Sequence, residues 1–157
     1  MLRLDRERCA ELAGVLPSDT LSYLQEVGVP EHVTFRGLDF AFEPQLRPIL
    51  DGAMFQIADV DRGLCTATIQ RHTGVLGLVT QEPPAPAWSF MNSSLAQFFT
   101  CLSASEDLWE LEAANRIARE ARGELLESRI RAIDPAALVD KEGPWAALVE
   151  EVRAGVV

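Results

Sequence analysis

The most constraining feature of the sequence is a change in apolar spacing between Trp88 and Leu102. Trp88 and Phe90 are two residues apart, which is typical of a half-buried strand. The apolar residues that follow recur at intervals of three and four, as on a helix face: Leu95, Phe98, Phe99 and Leu102. Ser94 followed by Gln97 has the spacing of a capping box, which satisfies amides in a first helical turn. The sequence therefore predicts a strand that passes directly into a helix.

Two helical patterns open the chain. The first has an apolar face made of Leu2, Cys9, Leu12, Ala13 and Leu16. Pro17 ends this pattern, and Ser18 is placed to cap a second helix. The buried face of that second helix is expected to be Leu21, Leu24 and Val27. Gly28 and Pro30 then stop it, so we expect two short helices before any strand.

Period-two runs follow between residues 34 and 80. Thr34–Phe42 indicates a pair of edge strands broken near Arg36-Gly37, and Met54–Thr80 indicates a meander of three strands. Turns are predicted at Val60–Gly63 and Arg71–Gly74.

The last strand of the meander differs from the others. Val75–Val79 is almost continuously apolar, which predicts a central strand covered on both faces, and Gly77 within it predicts a close backbone approach. The next segment, Gln81–Ala87, contains three prolines and is predicted to be a loop.

Helical patterns return after the strand-to-helix corner. Ser103 and Glu106 form a second possible capping box, ahead of one long helix that reaches Ile133. Its expected apolar face is Leu108, Leu111, Ala114, Ile117, Ala118, Ala121, Leu125 and Ile130. Asp134-Pro135 and Gly143-Pro144 each resemble a cap followed by a first-turn proline, so two short helices should close the chain.

These patterns predict an α+β fold with a central, mostly antiparallel sheet flanked by N-terminal and C-terminal helices. At 157 residues and 48% hydrophobic, the chain is long enough for one well-buried core, so a single domain over residues 1–157 is expected. No sequence feature specifies an oligomeric state.

The formal charge of −10 disfavours direct binding to nucleic acid, because no basic face is available to neutralise phosphates. A basic protein would be attracted instead, although excess acid also serves simply to keep a small domain soluble. No signal peptide and no membrane-spanning run is indicated. Cys9, Cys65 and Cys101 are odd in number and widely separated, as expected for buried thiols in the cytoplasm.

The sequence offers no catalytic constellation. The only histidines, His32 and His72, adjoin turn residues, and a Cys65/His72 pair is better explained by packing of the cysteine in its strand. The Ser93-Ser94 pair lacks the motif of a serine hydrolase and is better explained as a helix cap. Metal-ligand and phosphate-binding motifs are also missing, so neither enzymatic activity nor a cofactor is predicted.

Two groups of acids remain. The first follows Ser103, where carboxylates would complement the positive end of a helix dipole: Glu106, Asp107, Glu110 and Glu112. The second falls in strands and turns, where no such dipole explains it: Asp39, Glu43, Asp51, Asp59 and Asp61. We expect this second group to gather along one end of the sheet and to bind a protein partner.

The corner Phe90–Phe98, with the pattern F-x-N-S-S-L-x-Q-F, resembles the fourth subfamily of the SUKH superfamily of bacterial toxin-immunity proteins. Other similar segments are Leu16-Pro17 with Tyr23-Leu24 and Val27–Pro30, the hairpin Asp59–Val79, and Asp134–Leu138 followed by Trp145. The chain departs from the family pattern at Ala58–Asp61, where a glycine-rich turn is expected, and in the proline-rich loop.

The resemblance implies one twisted sheet backed by helices and a cytoplasmic antidote that binds a toxin of a polymorphic toxin system. Such toxins are often nucleases or deaminases, and carboxylates are suited to occupy their basic active sites. One alternative is a regulatory scaffold of the same superfamily that binds a cellular protein. Another is a small hydrolase or transferase, for which no constellation of residues is visible.

Overall fold

The computed structural model describes residues 1–80, 87–114 and 117–156. The helices are α1 (Arg6–Leu12), α2 (Ser18–Ser22), α3 (Leu95–Ala113), α4 (Arg119–Ile133) and α5 (Pro144–Arg153). The strands are β1 (His32–Phe35), β2 (Leu38–Ile49), β3 (Met54–Val60), β4 (Cys65–Gln70), β5 (Leu76–Thr80) and β6 (Ala87–Asn92). The α+β class is therefore confirmed. Packing divides the chain into two compact units, one of Met1–Phe90 with Ser94–Ala96 and one of Met91–Ser93 with the residues from Gln97 onward.

The first unit contains a six-stranded sheet in the order β1-β2-β3-β4-β5-β6. The pairs from β1 to β5 are antiparallel, as predicted. The β1–β2 turn falls at Arg36-Gly37, where both residues have positive φ angles of 53° and 76°. Strand β2 is longer than the sequence pattern indicated, because it continues past an irregularity between Phe42 and Arg47. The predicted meander is confirmed.

Strand β5 is covered on both faces. Leu76, Gly77, Leu78 and Val79 are all buried, which confirms the prediction from its continuous apolar run. The close approach at Gly77 is also confirmed, because a Cβ atom there would lie 2.6 Å from the carbonyl oxygen of Ser89. Most of the predicted proline loop lies outside the described residues, while Ala87 belongs to β6.

The N-terminal helix is shorter than predicted. Helix α1 begins only after Asp5, whose carboxylate accepts a 2.7 Å hydrogen bond from the Arg8 amide. Leu2 is not helical and instead forms an isolated antiparallel bridge with Val29. A π-helical turn extends α2 over Tyr23–Val27, and Val27, predicted to be buried, is 48% exposed. The wider turn shifts the 3.6-residue spacing on which that prediction depended.

The second unit contains most of α3 together with α4, a 3-10 turn at Pro135–Leu138 and α5. Two predictions about its helices are wrong. No helix starts at Ser103, because α3 runs continuously from Leu95, and the single long helix is divided into α3 and α4. Leu126 is fully buried and Leu125, predicted to be buried, is 38% exposed. The reason is that α4 begins at Arg119 and has a different inward face from the single long helix that was predicted. Apolar periodicity alone did not distinguish one helix from two.

Candidate partner-binding face of the sheet

The predicted partner-binding acids do not gather along one end of the sheet, because Glu43 lies in the middle of β2 and Asp51 lies at the end opposite to Asp39 and Asp61. Asp39 lies at the start of β2 and Asp61 lies directly after β3, where its amide donates a 2.8 Å hydrogen bond to the Asp39 carbonyl. Asp51 lies in the 3-10 turn between the two strands. Because β3 has seven residues, Asp51 is roughly 20 Å from the Asp39/Asp61 end. The structure therefore brings Asp39 and Asp61 together and leaves Asp51 apart.

Strands β2 and β3 present two different faces. Alternate residues on one face are buried: Phe40, Phe42, Ala58 and Val60. The intervening residues, Asp39, Ala41, Glu43 and Asp59, are exposed or half-buried. The register pairs Ala41 with Asp59 and Asp59 with Thr66 of β4, so these positions share one face. We call the accessible side, defined by Asp39, Glu43, Asp59 and Thr66, the acidic face.

Most carboxylates of the acidic face already have a neighbour. The Asp39 carboxylate lies 3.9 Å from Nδ1 of His32, and Glu43 forms a 3.4 Å ion pair with Arg47. Exposed pairs of this kind contribute little to stability, so a partner can replace them at low cost. Asp59 differs, because its Oδ1 accepts a 2.6 Å hydrogen bond from the Gly63 amide. Asp59 therefore also holds the β3–β4 turn, a role that the sequence pattern did not indicate.

The acids of α3 require a correction. Because α3 begins at Leu95, the acids from Glu106 to Glu112 lie in its second half, so the interpretation as N-terminal dipole partners is wrong. The C-terminal end of a helix carries negative partial charge, which disfavours carboxylates there. Within the second unit, Glu112 pairs with Arg122, and Asp107 lies 3.9 Å from Nη1 of Arg129. These pairs offset part of the unfavourable placement.

Trp88 is an aromatic side chain whose position the sequence did not determine. Its indole lies against Gly77, where an added Cβ would come within 2.3 Å of the ring Nε1. Gly77 alternates with buried Leu78 and shares a face with Val79, which pairs with Thr66. Trp88 therefore lies on the same side of the sheet as the acidic face, and it is 38% exposed. The only sequence signal for this contact was the glycine within an apolar strand.

The polar residues of the corner, Asn92 and Ser93, perform a structural role. Asn92 is completely buried, and its Nδ2 donates a 3.0 Å hydrogen bond to Asp134, which is 1% exposed. Asp134 also accepts bonds from the Ser93 amide at 2.7 Å and from the Ser93 hydroxyl at 2.9 Å. Asp134 precedes the 3-10 turn as predicted, but its carboxylate does not cap that turn. It is used instead to join two distant segments of the second unit.

The described residues provide no catalytic arrangement around Cys65. Burial raises the pKa of the Cys65 thiol, and the nearby carboxylates of Asp61 and Asp59 raise it further. A thiol with a raised pKa forms less of the nucleophilic thiolate at neutral pH. Cys65 lies at the start of β4 and His72 lies beyond its end, so the strand separates them. This arrangement favours packing as the role of Cys65.

The described parts of the chain contain neither a candidate metal cluster nor a candidate membrane-spanning helix. No group of three or more His, Cys, Asp or Glu side chains is placed to hold a metal ion. None of the helices in residues 1–80, 87–114 and 117–156 is long and apolar enough to cross a bilayer.

A comparison with protein-family models matches residues 1–151 to the model described as SUKH-4 immunity protein. The match covers nearly the whole chain, including every strand of the sheet and most of α5. Comparisons with curated proteins and with solved structures found no match. The family predicted from the Phe90–Phe98 corner is thereby confirmed.

Proposed function

The chain belongs to the SUKH-4 immunity protein family, which supports an immunity function, and from this we infer that it binds and neutralises a cognate bacterial toxin. The single observation that carries this proposal is the family match over residues 1–151. Neutralisation is proposed to occur by binding alone, in the cytoplasm of a bacterium that carries a polymorphic toxin system. The chain as a whole, residues 1–157, is proposed to act as one domain.

The proposed toxin is a nuclease or a deaminase with a basic active-site surface. The support for this class is the formal charge of −10 on the chain. An enzyme that acts on nucleic acid must attract phosphates, so its surface also attracts carboxylates. A carboxylate-bearing protein that covers such a surface blocks access of the nucleic acid without any chemical step.

The proposed binding residues are Asp39, Glu43, Asp51, Asp59 and Asp61. Asp39 and Asp61 are proposed to lie at the centre of the contact with the toxin, because both are exposed and their backbones are hydrogen bonded to each other. Glu43 and Asp59 extend the same face. Asp51 would meet the toxin only at the edge of a large contact, since it lies at the opposite end of β2 and β3.

Co-expression tests the proposed function. The toxic domain of a secreted toxin encoded beside this gene is expressed from an inducible promoter, with and without this protein. Growth should be restored by the wild-type protein and by a Glu106→Gln/Glu110→Gln variant. Growth should not be restored by an unrelated acidic protein of similar charge.

A purified, catalytically inactive toxin domain then provides the binding measurement. A 1:1 complex that blocks access to nucleic acid supports the proposal. Failure of the wild-type protein both to bind this domain and to restore growth would contradict it and would favour the scaffold alternative.

A further inference from the structure

Trp88 provides an apolar surface beside the acids of the sheet. Its ring lies against the backbone of β5, since a Cβ at Gly77 would come within 2.3 Å of Nε1 and 2.4 Å of Cε2. Phe90 packs against it edge to face, with ring centroids 6.4 Å apart. The residue is nonetheless 38% exposed. It is therefore held on one side by the sheet and open to solvent on the other.

An aromatic side chain held in this way is well suited to binding. Tryptophan is enriched among the residues that dominate binding energy at protein interfaces, and a side chain already fixed in place loses little conformational entropy on binding. Any larger residue at position 77 would displace the ring, so Gly77 determines where the indole lies.

Trp88 lies within reach of the acidic face. Gly77 pairs with Thr68, and Asp59 pairs with Thr66, two residues away along β4. With strands about 4.8 Å apart and about 3.3 Å per residue, Gly77 and Asp59 are separated by roughly 12 Å across the sheet. A standard interface covers about 800 Å² on each partner, a patch about 30 Å across. One bound protein can therefore cover both residues.

We infer that Trp88 is the aromatic anchor of the toxin-binding surface, and that an arginine or lysine of the toxin lies over its exposed ring. The charge of the neighbouring residues selects this occupant, because Asp59 and Asp39 attract a basic surface to the same side of the sheet. A guanidinium or ammonium group over an indole is stabilised by the ring quadrupole. This inference rests on the proposed function and names the contact through which the toxin is held.

The test compares Trp88→Leu with a matched change, Trp109→Leu, in the second unit. Trp109 also faces a cation, since the guanidinium carbon of Arg122 lies 5.0 Å from its ring centroid. Affinity for the catalytically inactive toxin domain is measured by calorimetry. Trp88→Leu should weaken binding by about 30-fold or more, as expected for a dominant interface residue, and Trp88→Phe should recover part of the loss. Trp109→Leu should change the affinity by less than about threefold.

A second measurement uses the wild-type protein and avoids any loss of folding. The protein is labelled with 5-fluorotryptophan, the resonances of Trp88 and Trp109 are assigned from the two leucine variants, and the third resonance is that of Trp145. Addition of the toxin domain should shift the Trp88 resonance and leave that of buried Trp145 unchanged.

The outcomes separate the two proposals. Tight binding by wild type together with unchanged affinity in Trp88→Leu, or an unmoved Trp88 resonance, would overturn the anchor and leave the proposed function intact. Absence of binding by the wild-type protein would overturn both.

Discussion

The indole Nε1 of Trp145 donates a 2.7 Å hydrogen bond to Oδ1 of Asn92, a residue 53 positions earlier in the chain. Both side chains are completely buried. Asn92 also donates to Asp134, so within the second unit one amide links the segment Met91–Ser93 to α5 and to the residue that follows α4. These residues belong to the segments in which the resemblance to the SUKH superfamily was found. In this chain, three residues of those segments, Asn92, Asp134 and Trp145, therefore hold the second unit together by hydrogen bonds.

Replacing Asn92 with alanine should destabilise the protein by about 2 to 4 kcal/mol. The change leaves the Trp145 donor and an Asp134 oxygen buried without the bonds that Asn92 supplies. Urea denaturation measures the effect. Ser89→Ala, at an exposed position of the same strand, is the control and should change stability by less than about 0.5 kcal/mol. Equal stability of the two variants would show that the amide does not bridge these segments.

Phe98→Ala should cost about 3 to 5 kcal/mol, because it removes a buried aromatic ring and leaves a cavity. Phe98 is 0% exposed and packs edge to face against Trp145 at 6.3 Å. Phe99 is only half-buried, so Phe99→Ala should cost less. Urea denaturation followed by circular dichroism and by tryptophan fluorescence measures both. The unfolding transitions followed by circular dichroism and by fluorescence should coincide if residues 1–157 form one domain, as predicted.

Alkaline pH should destabilise the protein through Cys101. The pKa of this thiol is raised from its ordinary value of 9.0 to about 12, chiefly by burial and also by the Asp134 carboxylate, while the Asn92 hydrogen bond acts in the opposite direction. Because the folded state retains the proton more strongly, the stabilisation is complete below pH 9 and is lost as the pH rises towards 12. The free energy of unfolding should therefore fall more steeply over this range in wild type than in Cys101→Ala. Parallel pH profiles would contradict this.

Association with the toxin should depend strongly on salt. If the acidic face and the adjacent Asp61 steer a basic toxin, raising the salt from about 0.05 to 0.5 M should slow association by about tenfold or more and change dissociation less. Stopped-flow fluorescence measures both rates. Asp39→Asn/Asp61→Asn should reduce this salt dependence without a large change in melting temperature, because both side chains are exposed.

The choice of acids matters for that experiment. Asp59 is left unchanged because its carboxylate also accepts a hydrogen bond from the Gly63 amide and so holds the β3–β4 turn. Glu106→Gln/Glu110→Gln is the control, since both residues are exposed on α3. If this control pair abolishes binding and the Asp39/Asp61 pair has no effect, the toxin binds the helical unit instead.

The sequence alone determined the order and type of most elements. The strands of the meander, the hairpin at Arg36-Gly37 and the start of α3 at Leu95 were all predicted. These features depend on neighbouring residues: period-two alternation, glycine at positive φ, and the change of spacing at the corner. The family was also identifiable from the sequence, because its pattern is a set of local segments in a fixed order.

The tertiary structure decided which residues share a surface and which helices are continuous. The register of β2 on β3 places Asp39 beside Asp61 and sends Asp51 to the opposite end. Helix α3 begins at Leu95 and ends at Ala113, so its acids lie towards the end of a helix and not at the predicted helix start. The position of the Trp88 ring depends on its contact with Gly77, which lies on another strand. Each of these depends on pairing or packing between residues distant in the chain, and the spacing of residues along one segment does not encode such contacts.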